Sequence, residues 1–210
     1  MFIDISTLGL FAISTVVLTL IPGVDMLCAL SNTINHGKKA GMITVLGTVT
    51  GVMCHIGLAV AGITALLASS PVLYECFVGA GAIYIMWVGY SIFNHVSAVN
   101  LENYSERKSF HKLYSQGLLT NLLNPKAIIF TLVFIPQFIR VEVGMPGMQM
   151  LLLGIELIVI ILLTDFALIF LADNIATRII TNPTKGSYFN KISGTFILLL
   201  GFFILVLRFF

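Results

Sequence analysis

The sequence predicts an all-α polytopic membrane protein: six transmembrane helices forming two inverted three-helix repeats, each opened by a broken helix. Composition is the first ground for this. The 210-residue chain is 58% hydrophobic and 10% charged, with mean hydropathy +1.04; a soluble domain carries about 25% charged residues. Secondly, six stretches approach the roughly 20 apolar residues that a span requires. Thirdly, two of these stretches hold a helix-breaking proline with an ionisable residue close behind it: Pro22-Gly23-Val24-Asp25 and Asn124-Pro125-Lys126. Proline removes a backbone donor and clashes with the preceding turn. In hydrocarbon such a break survives only where protein or a watery cavity satisfies the freed groups.

The first run, about 5–31, has neither a basic n-region nor a small-residue cleavage site, so it reads as a span and not as a cleaved signal. Asn35-His36-Gly37-Lys38-Lys39 separates it from the second, about 40–68, and Ser69-Ser70-Pro71 sets off the third, about 72–94. The polar stretch His95 to Lys112 leads to the fourth, about 115–138, where a re-entrant hairpin is the alternative. Gln137 is expected to cap its end. Val143 to Gly147 and Asn174 to Ser187 bound the fifth, about 148–172, and the sixth, about 188–208. The expected division is therefore a first repeat at 1–94, a cytoplasmic connector at 95–114 and a second repeat at 115–210. Three crossings per half is an odd number, so the second half enters from the opposite side. Matched prolines at 22 and 125 support a repeat. So does the likeness of Gly81-Ala82-Ile83-Tyr84 with Gly89 to Gly194-Thr195-Phe196 with Gly201.

Orientation follows from the lysines and arginines. Of the eleven, eight fall in the loops after spans one, three and five: Lys38, Lys39, Arg107, Lys108, Lys112, Arg178, Lys185 and Lys191. Arg140 and Arg208 lie on the other side. Both termini are thus expected outside and the odd loops in the cytoplasm. The formal net charge of +2 and the lack of a basic aromatic patch give no footprint for nucleic acid. Cys28, Cys54 and Cys76 form no metal-ligand spacing and read as small packing residues at helix interfaces. Glycines along spans two and three read as close helix contacts.

An ionisable residue in a span marks a candidate functional site, and broken helices at matching positions of two halves point to a secondary transporter's binding site. Pro22, Gly23, Asp25, Asn121, Asn124, Pro125 and Lys126 are accordingly the expected substrate-binding set. The half-helix beginning after Pro22 turns its positive end toward a substrate carboxylate, and Asp25 suits an α-amino group or a transported proton. Lys126 suits the carboxylate. The competing view makes Asp25 and Lys126 a permanent buried ion pair. Asp165 in span five is the further proton-coupling candidate. Glu156, nine residues before it, points to the opposite face. His55 reads as a hydrogen-bonded core histidine. Tyr84, Trp87 and Tyr90 belong to an interfacial belt or line a pocket.

These same residues resemble the LysE/RhtB amino-acid exporter family. The resemblance rests on Pro22-Gly23-x-Asp25, His36-Gly37-Lys38-Lys39-Ala40-Gly41, Gly81-Ala82-Ile83-Tyr84-Ile85-x-Trp87-Val88-Gly89 and Asn121-Leu122-Leu123-Asn124-Pro125-Lys126-Ala127, leading to Pro136-Gln137-Phe138. It implies a bacterial inner-membrane exporter of small amino acids driven by proton influx, with no cofactor. Its partners would be the amino acid, protons and the bilayer, and the resemblance leaves a homodimer open. One acid and one base favour a neutral zwitterion of the threonine, homoserine or leucine kind over a basic amino acid. Val24 stands where the family commonly has a second proline, which implies a softer first break. The rival readings are export of basic amino acids or of divalent metal ions, and then an intramembrane enzyme. The carboxylates, His55 and the cysteines are too scattered for a metal route, and no motif for a nucleophile or catalytic metal is present.

Overall fold

The structure is a computed structural model that describes residues 3–94, 108–171 and 183–209. Among them are eight α-helices and no strand. The first pair, α1 (Ile5–Leu20) and α2 (Val24–His36), meets at Pro22 with a 58° bend. Then come α3 (Lys38–Ser69), α4 (Pro71–Asn94), α5 (Phe110–Leu122) and the short α6 (Pro125–Ile129). The chain continues from α6 as a π-helical turn at Phe130–Phe134 and a 3-10 turn at Ile135–Phe138. The last two helices are α7 (Pro146–Leu171) and α8 (Pro183–Phe209).

Proline placement accounts for most of the boundaries. Four of the six prolines stand at the first position of a helix, namely α4, α6, α7 and α8, where the missing N–H costs nothing. Ile21, before Pro22, is forced into extended backbone (φ −68°, ψ 121°), which ends α1. The turn from α2 to α3 depends on Gly37 at φ +88°, a region closed to most L-residues; its N–H donates to the Thr33 carbonyl at 2.8 Å.

Three helices are long and apolar enough to cross a membrane alone. The two bent pairs pass together as broken spans or re-entrant loops, and Lys191–Val206 within α8 is a shorter apolar helix. The surface is apolar (Ile5, Leu58, Trp87, Leu163 and Leu199 are exposed), whereas Ser14, Asn32, Thr44, Asn121 and Asp165 are inside. A chain built this way is solvated by lipid, because a soluble protein does not expose so continuous an apolar surface. It is an all-α polytopic membrane protein.

Glycines set the helix contacts. Gly89 of α4 and Gly194 of α8 meet face to face, and a Cβ on Gly194 would lie 2.5 Å from the Phe93 amide nitrogen and 2.7 Å from the Gly89 carbonyl oxygen. On the other side of the bundle, Gly47 of α3 lies against the Tyr114 carbonyl of α5, and Gly117 of α5 against the Thr44 carbonyl of α3. Alongside these pairs, α2 packs on α5 and α3 on α7.

Several expectations change. The bend at Pro22, 58°, is close to the 60° bend at Asn124–Pro125, so the two breaks are alike in angle. The fourth segment begins at Phe110, inside the expected connector, because Ser109 caps it by accepting from the Lys112 amide at 3.3 Å. Residues 95–107 of that connector and the loop portion 172–182, with Arg107 and Arg178, lie outside the described residues. Cys54 and Cys76 are exposed on the outer helix surface and are not interface residues. Gln137 does not cap its helix end. Its amide instead donates to the Val78 carbonyl of α4 at 3.0 Å and to the Val133 carbonyl at 3.1 Å.

Replacing Gly194 by Val should lower the stability of the purified protein by about 1–3 kcal/mol, since backbone atoms must move apart. Gly57, with nothing within 4 Å of a built Cβ, is the control: Gly57→Ala should be neutral or gain a few tenths of a kcal/mol, roughly, in helix propensity. Thermal unfolding in detergent reads both, and equal melting temperatures would remove the close-contact account.

Candidate functional site

The two helix breaks lie side by side at the centre of the bundle. Pro22 leaves the Ile21 carbonyl without its helical donor, and the Lys126 ammonium, from the other break, donates to it at 2.6 Å. In return, the Asn121 amide donates to Asp25 Oδ2 at 3.2 Å. Each break also carries a local side-chain contact to its own backbone. The Asn124 side chain accepts from the Lys126 amide at 3.0 Å, and Asp25 Oδ1 accepts from the Met26 amide at 3.0 Å. His55 of α3 donates through Nε2 to the Asn121 carbonyl at 3.3 Å, which fixes its tautomer and makes it the hydrogen-bonded core residue that was expected. Room for Asn121 comes from Gly51, where a Cβ would stand 2.7 Å from Asn121 Oδ1.

Asp25, Asn121, Lys126 and Asp165 line one cavity of about 60 Å³, walled by Leu18, Phe130 and Leu157. Asp25 and Lys126 do not come within the 4.0 Å of an ion pair. A Cβ on Gly23 would stand 2.8 Å from Asp25 Oδ1 and 3.4 Å from Lys126 Nζ, so the two charges are at most about 6.2 Å apart. They face one space and are not locked together. Asp165 reaches the same cavity from α7 and is buried. Glu156 is only half-buried and does not line it. Pro22, Gly23 and Asn124 shape the two breaks and are not among the residues that line the cavity.

Lys126 also borders a second cavity, of about 240 Å³, lined by Tyr84, Trp87, Ser91 and Phe130. Tyr84 and Trp87 thus line a pocket, and Trp87 is also exposed, as is Tyr90. Above the first cavity, the rings of Phe11, Phe134 and Phe138 pack with centroids 5.0 to 5.7 Å apart, and Phe130 stacks on Phe134 at 4.5 Å. Beyond this plug an open vestibule holds Arg140, which is paired with both Asp4 and Glu142. The hydrogen bond that Arg140 donates to Glu142 and the neighbouring Asp4 charge hold the guanidinium above its ordinary range. The buried Gln149 clamps this loop by accepting from the Arg140 amide at 2.9 Å and donating to the Arg140 and Gly144 carbonyls at 2.9 and 2.8 Å.

Sequence reasoning passed over Gln149 and also a polar cluster at the opposite, lysine-rich end. There Asn32 of α2 donates to Thr44 Oγ1 at 3.0 Å and to Gln116 Oε1 at 3.4 Å. Lys108 donates to Gln116 Oε1 at 3.0 Å and to Asn32 Oδ1 at 3.3 Å. The available signal was helical spacing: Asp25, Cys28 and Asn32 on α2, and Gln116 and Thr120 on α5, each recur every three or four residues.

Residues 16–208 match the family described as LysE type translocator. The chain belongs to that family. It is 31% identical over 193 residues to a homoserine/homoserine lactone efflux protein of Salmonella typhi, covering 91% of this chain and 92% of that one. A protein of the same description from Salmonella typhimurium is 30% identical with the same coverage. An uncharacterized membrane protein of Bacillus subtilis is 30% identical over 88% of this chain and 90% of its own length. No solved structure matches. The LysE chain described here is therefore a membrane translocator of a small molecule and not an enzyme.

Lys126→Met strips the Ile21 carbonyl of its donor, and an unsatisfied buried acceptor costs about 1–3 kcal/mol. The variant should melt lower in detergent than the parent, and Lys126→Arg, which keeps a donor, should lose less. If Lys126→Met melts with the parent, the carbonyl is satisfied in another way.

Proposed function

We propose that this protein exports small neutral α-amino acids, of the threonine, homoserine or leucine kind, from the cytoplasm across the bacterial inner membrane in exchange for protons. The observation that carries the reading is the separated pair: one carboxylate and one ammonium, brought together by two helix breaks, face a single cavity without forming an ion pair. Such a pair is the complement of a zwitterion. Lys126 takes the substrate carboxylate and Asp25 its α-amino group, with Asn121 holding the Asp25 carboxylate in place. Pro22-Gly23 and Asn124-Pro125 supply the irregular backbone that a broken-helix site uses to coordinate a ligand. Asp165, in the same cavity, carries the proton in the return step. The names of the Salmonella relatives support the substrate class, while a basic side chain would meet Lys126 as a like charge.

Six spans in two inverted repeats fit this reading. The second and third spans of each half pack on their counterparts, α3 on α7 and α4 on α8, as a two-fold axis in the membrane plane would arrange them, and the two broken spans meet through α2 and α5. The lysine-rich loops belong on the cytoplasmic side and both termini in the periplasm.

Vesicles containing the purified protein and preloaded with amino acids are the direct check. Homoserine or threonine should leave faster than lysine or arginine, and collapse of an imposed proton gradient should abolish the stimulated rate. Preferred release of lysine or arginine would refute the neutral reading, and export indifferent to the gradient would refute proton coupling. Topology has its own check: cysteines introduced at Lys39 and Lys185 should resist an impermeant thiol reagent in intact cells, and ready labelling of both would invert the orientation.

A further inference from the structure

A seam of polar side chains, in three groups about a helical turn apart, lies between α2 and α5 from the central cavity to the lysine-rich end. Asp25 meets Asn121 at its inner end. One turn on, the Cys28 thiol lies 3.7 Å from the Asn32 amide and 4.0 Å from the Thr120 hydroxyl. One turn further, Asn32, Gln116 and Lys108 join the two helices. Asn32 is 2% exposed and Thr44, its partner on α3, is fully buried. Polar side chains stacked along an intramembrane helix interface are costly unless they serve packing or passage. Packing alone would be met by small residues, which this bundle uses at its other tight contacts, Gly89 against Gly194 and Gly47 against Tyr114. The opposite way out of the cavity is filled by the Phe11, Phe134 and Phe138 rings. Among the described residues, polar side chains between α2 and α5 lead from Asp25 toward the basic end, whereas the other way is lined by rings.

We propose that the α2–α5 seam is the path by which substrate reaches the central cavity from the cytoplasm, and that Lys108, Asn32 and Gln116 form an outer recruiting site at its mouth for the substrate carboxylate. The inference rests on the export reading above and adds to it a second binding site with its own residues. Lys108 supplies the positive charge. The Asn32 and Gln116 amides, now bonded to Lys108 and to each other, exchange those bonds for the carboxylate as it arrives. The carboxylate then moves past Cys28 and Thr120 to Lys126 while the ammonium group is drawn to Asp25. With no substrate present, the same three side chains close the mouth.

Cys28 is a built-in reporter of this path. Cys54 and Cys76 are exposed on the lipid-facing surface, so Cys54→Ser with Cys76→Ser leaves the seam untouched. In inside-out membrane vesicles, a trimethylammonium-ethyl methanethiosulfonate reagent should modify Cys28, and saturating homoserine should slow that modification severalfold. From the periplasmic face the reagent should react far more slowly. In transport assays, Lys108→Glu should raise the KM for homoserine roughly tenfold with little change in maximal rate, the signature of a lost binding contact. Lys108→Arg should restore the parental KM. Three results would overturn the proposal: Cys28 unreactive from the cytoplasmic face while the variant exports homoserine, modification that homoserine does not slow (as in a seam that passes only protons), or an unchanged KM in Lys108→Glu. Failure of the export reading is separate, because there the parent itself would not move homoserine.

Discussion

The Ile21 carbonyl, freed where Pro22 ends the first helix, is satisfied by a lysine that belongs to the other helix break a hundred residues away. Asn121 of the second break in turn holds the Asp25 carboxylate of the first. This exchange is the constraint on which the bundle depends. Neither break is tolerable in hydrocarbon alone, because each exposes backbone groups that lipid cannot satisfy. Together they remain stable only if α1–α2 and α5–α6 sit side by side with their bends aligned. That requirement places a carboxylate and an ammonium on one cavity without a direct ion pair between them. The groups that repair the backbone are thus the groups that a zwitterion would use.

Around this centre the two ends are built differently. Toward the vestibule that holds Arg140, aromatic rings fill the way, and Gln149 ties down the loop above them. Toward the lysine-rich end the contacts are hydrogen bonds between polar side chains, which break and re-form at modest net cost, about 1 kcal/mol each. On the proposed path, such a state, with an apolar plug on one side and exchangeable polar contacts on the other, is the one that opens toward the polar side. The α4–α8 pair, held at backbone contact by Gly89 and Gly194, and the α3–α5 pair, held by Gly47 and Gly117, are stiff units. Movement then belongs at the breaks and at the π-helical turn beside Lys126, where helical bonding is already interrupted.

Much of the fold was legible in the sequence because its signals are local. Apolar run length gave the long helices, and Pro22 and Pro125 gave the breaks. The charged and amide residues beside those prolines gave the candidate site, since an ionisable group at membrane depth is too costly to persist without a use. Long-range pairing was harder to see. That Lys126 bonds a backbone carbonyl and not Asp25 depends on the relative depth of two bends, which no periodicity encodes. Gln137 reads as a helix cap by its place after Pro136, yet it reaches across to α4 because its own segment has turned 3-10. Cys54 and Cys76 read as interface residues because a small thiol is usually buried in soluble proteins, but a lipid-facing surface accepts a small apolar group just as well. Asn32 and Gln116 were overlooked one at a time; only the facing stripes on α2 and α5 make them a seam.

The central claim is that Asp25 and Lys126 jointly bind the substrate's two charges and are not a structural ion pair. Asp25→Asn, Lys126→Gln and the double variant, each reconstituted and compared for detergent melting temperature and homoserine export, test it most directly. The account predicts that both single variants lose export and stability. The double variant should recover part of the melting temperature, because charges facing one cavity are removed together, and should still not export. A double variant exporting homoserine at the parental rate would contradict it.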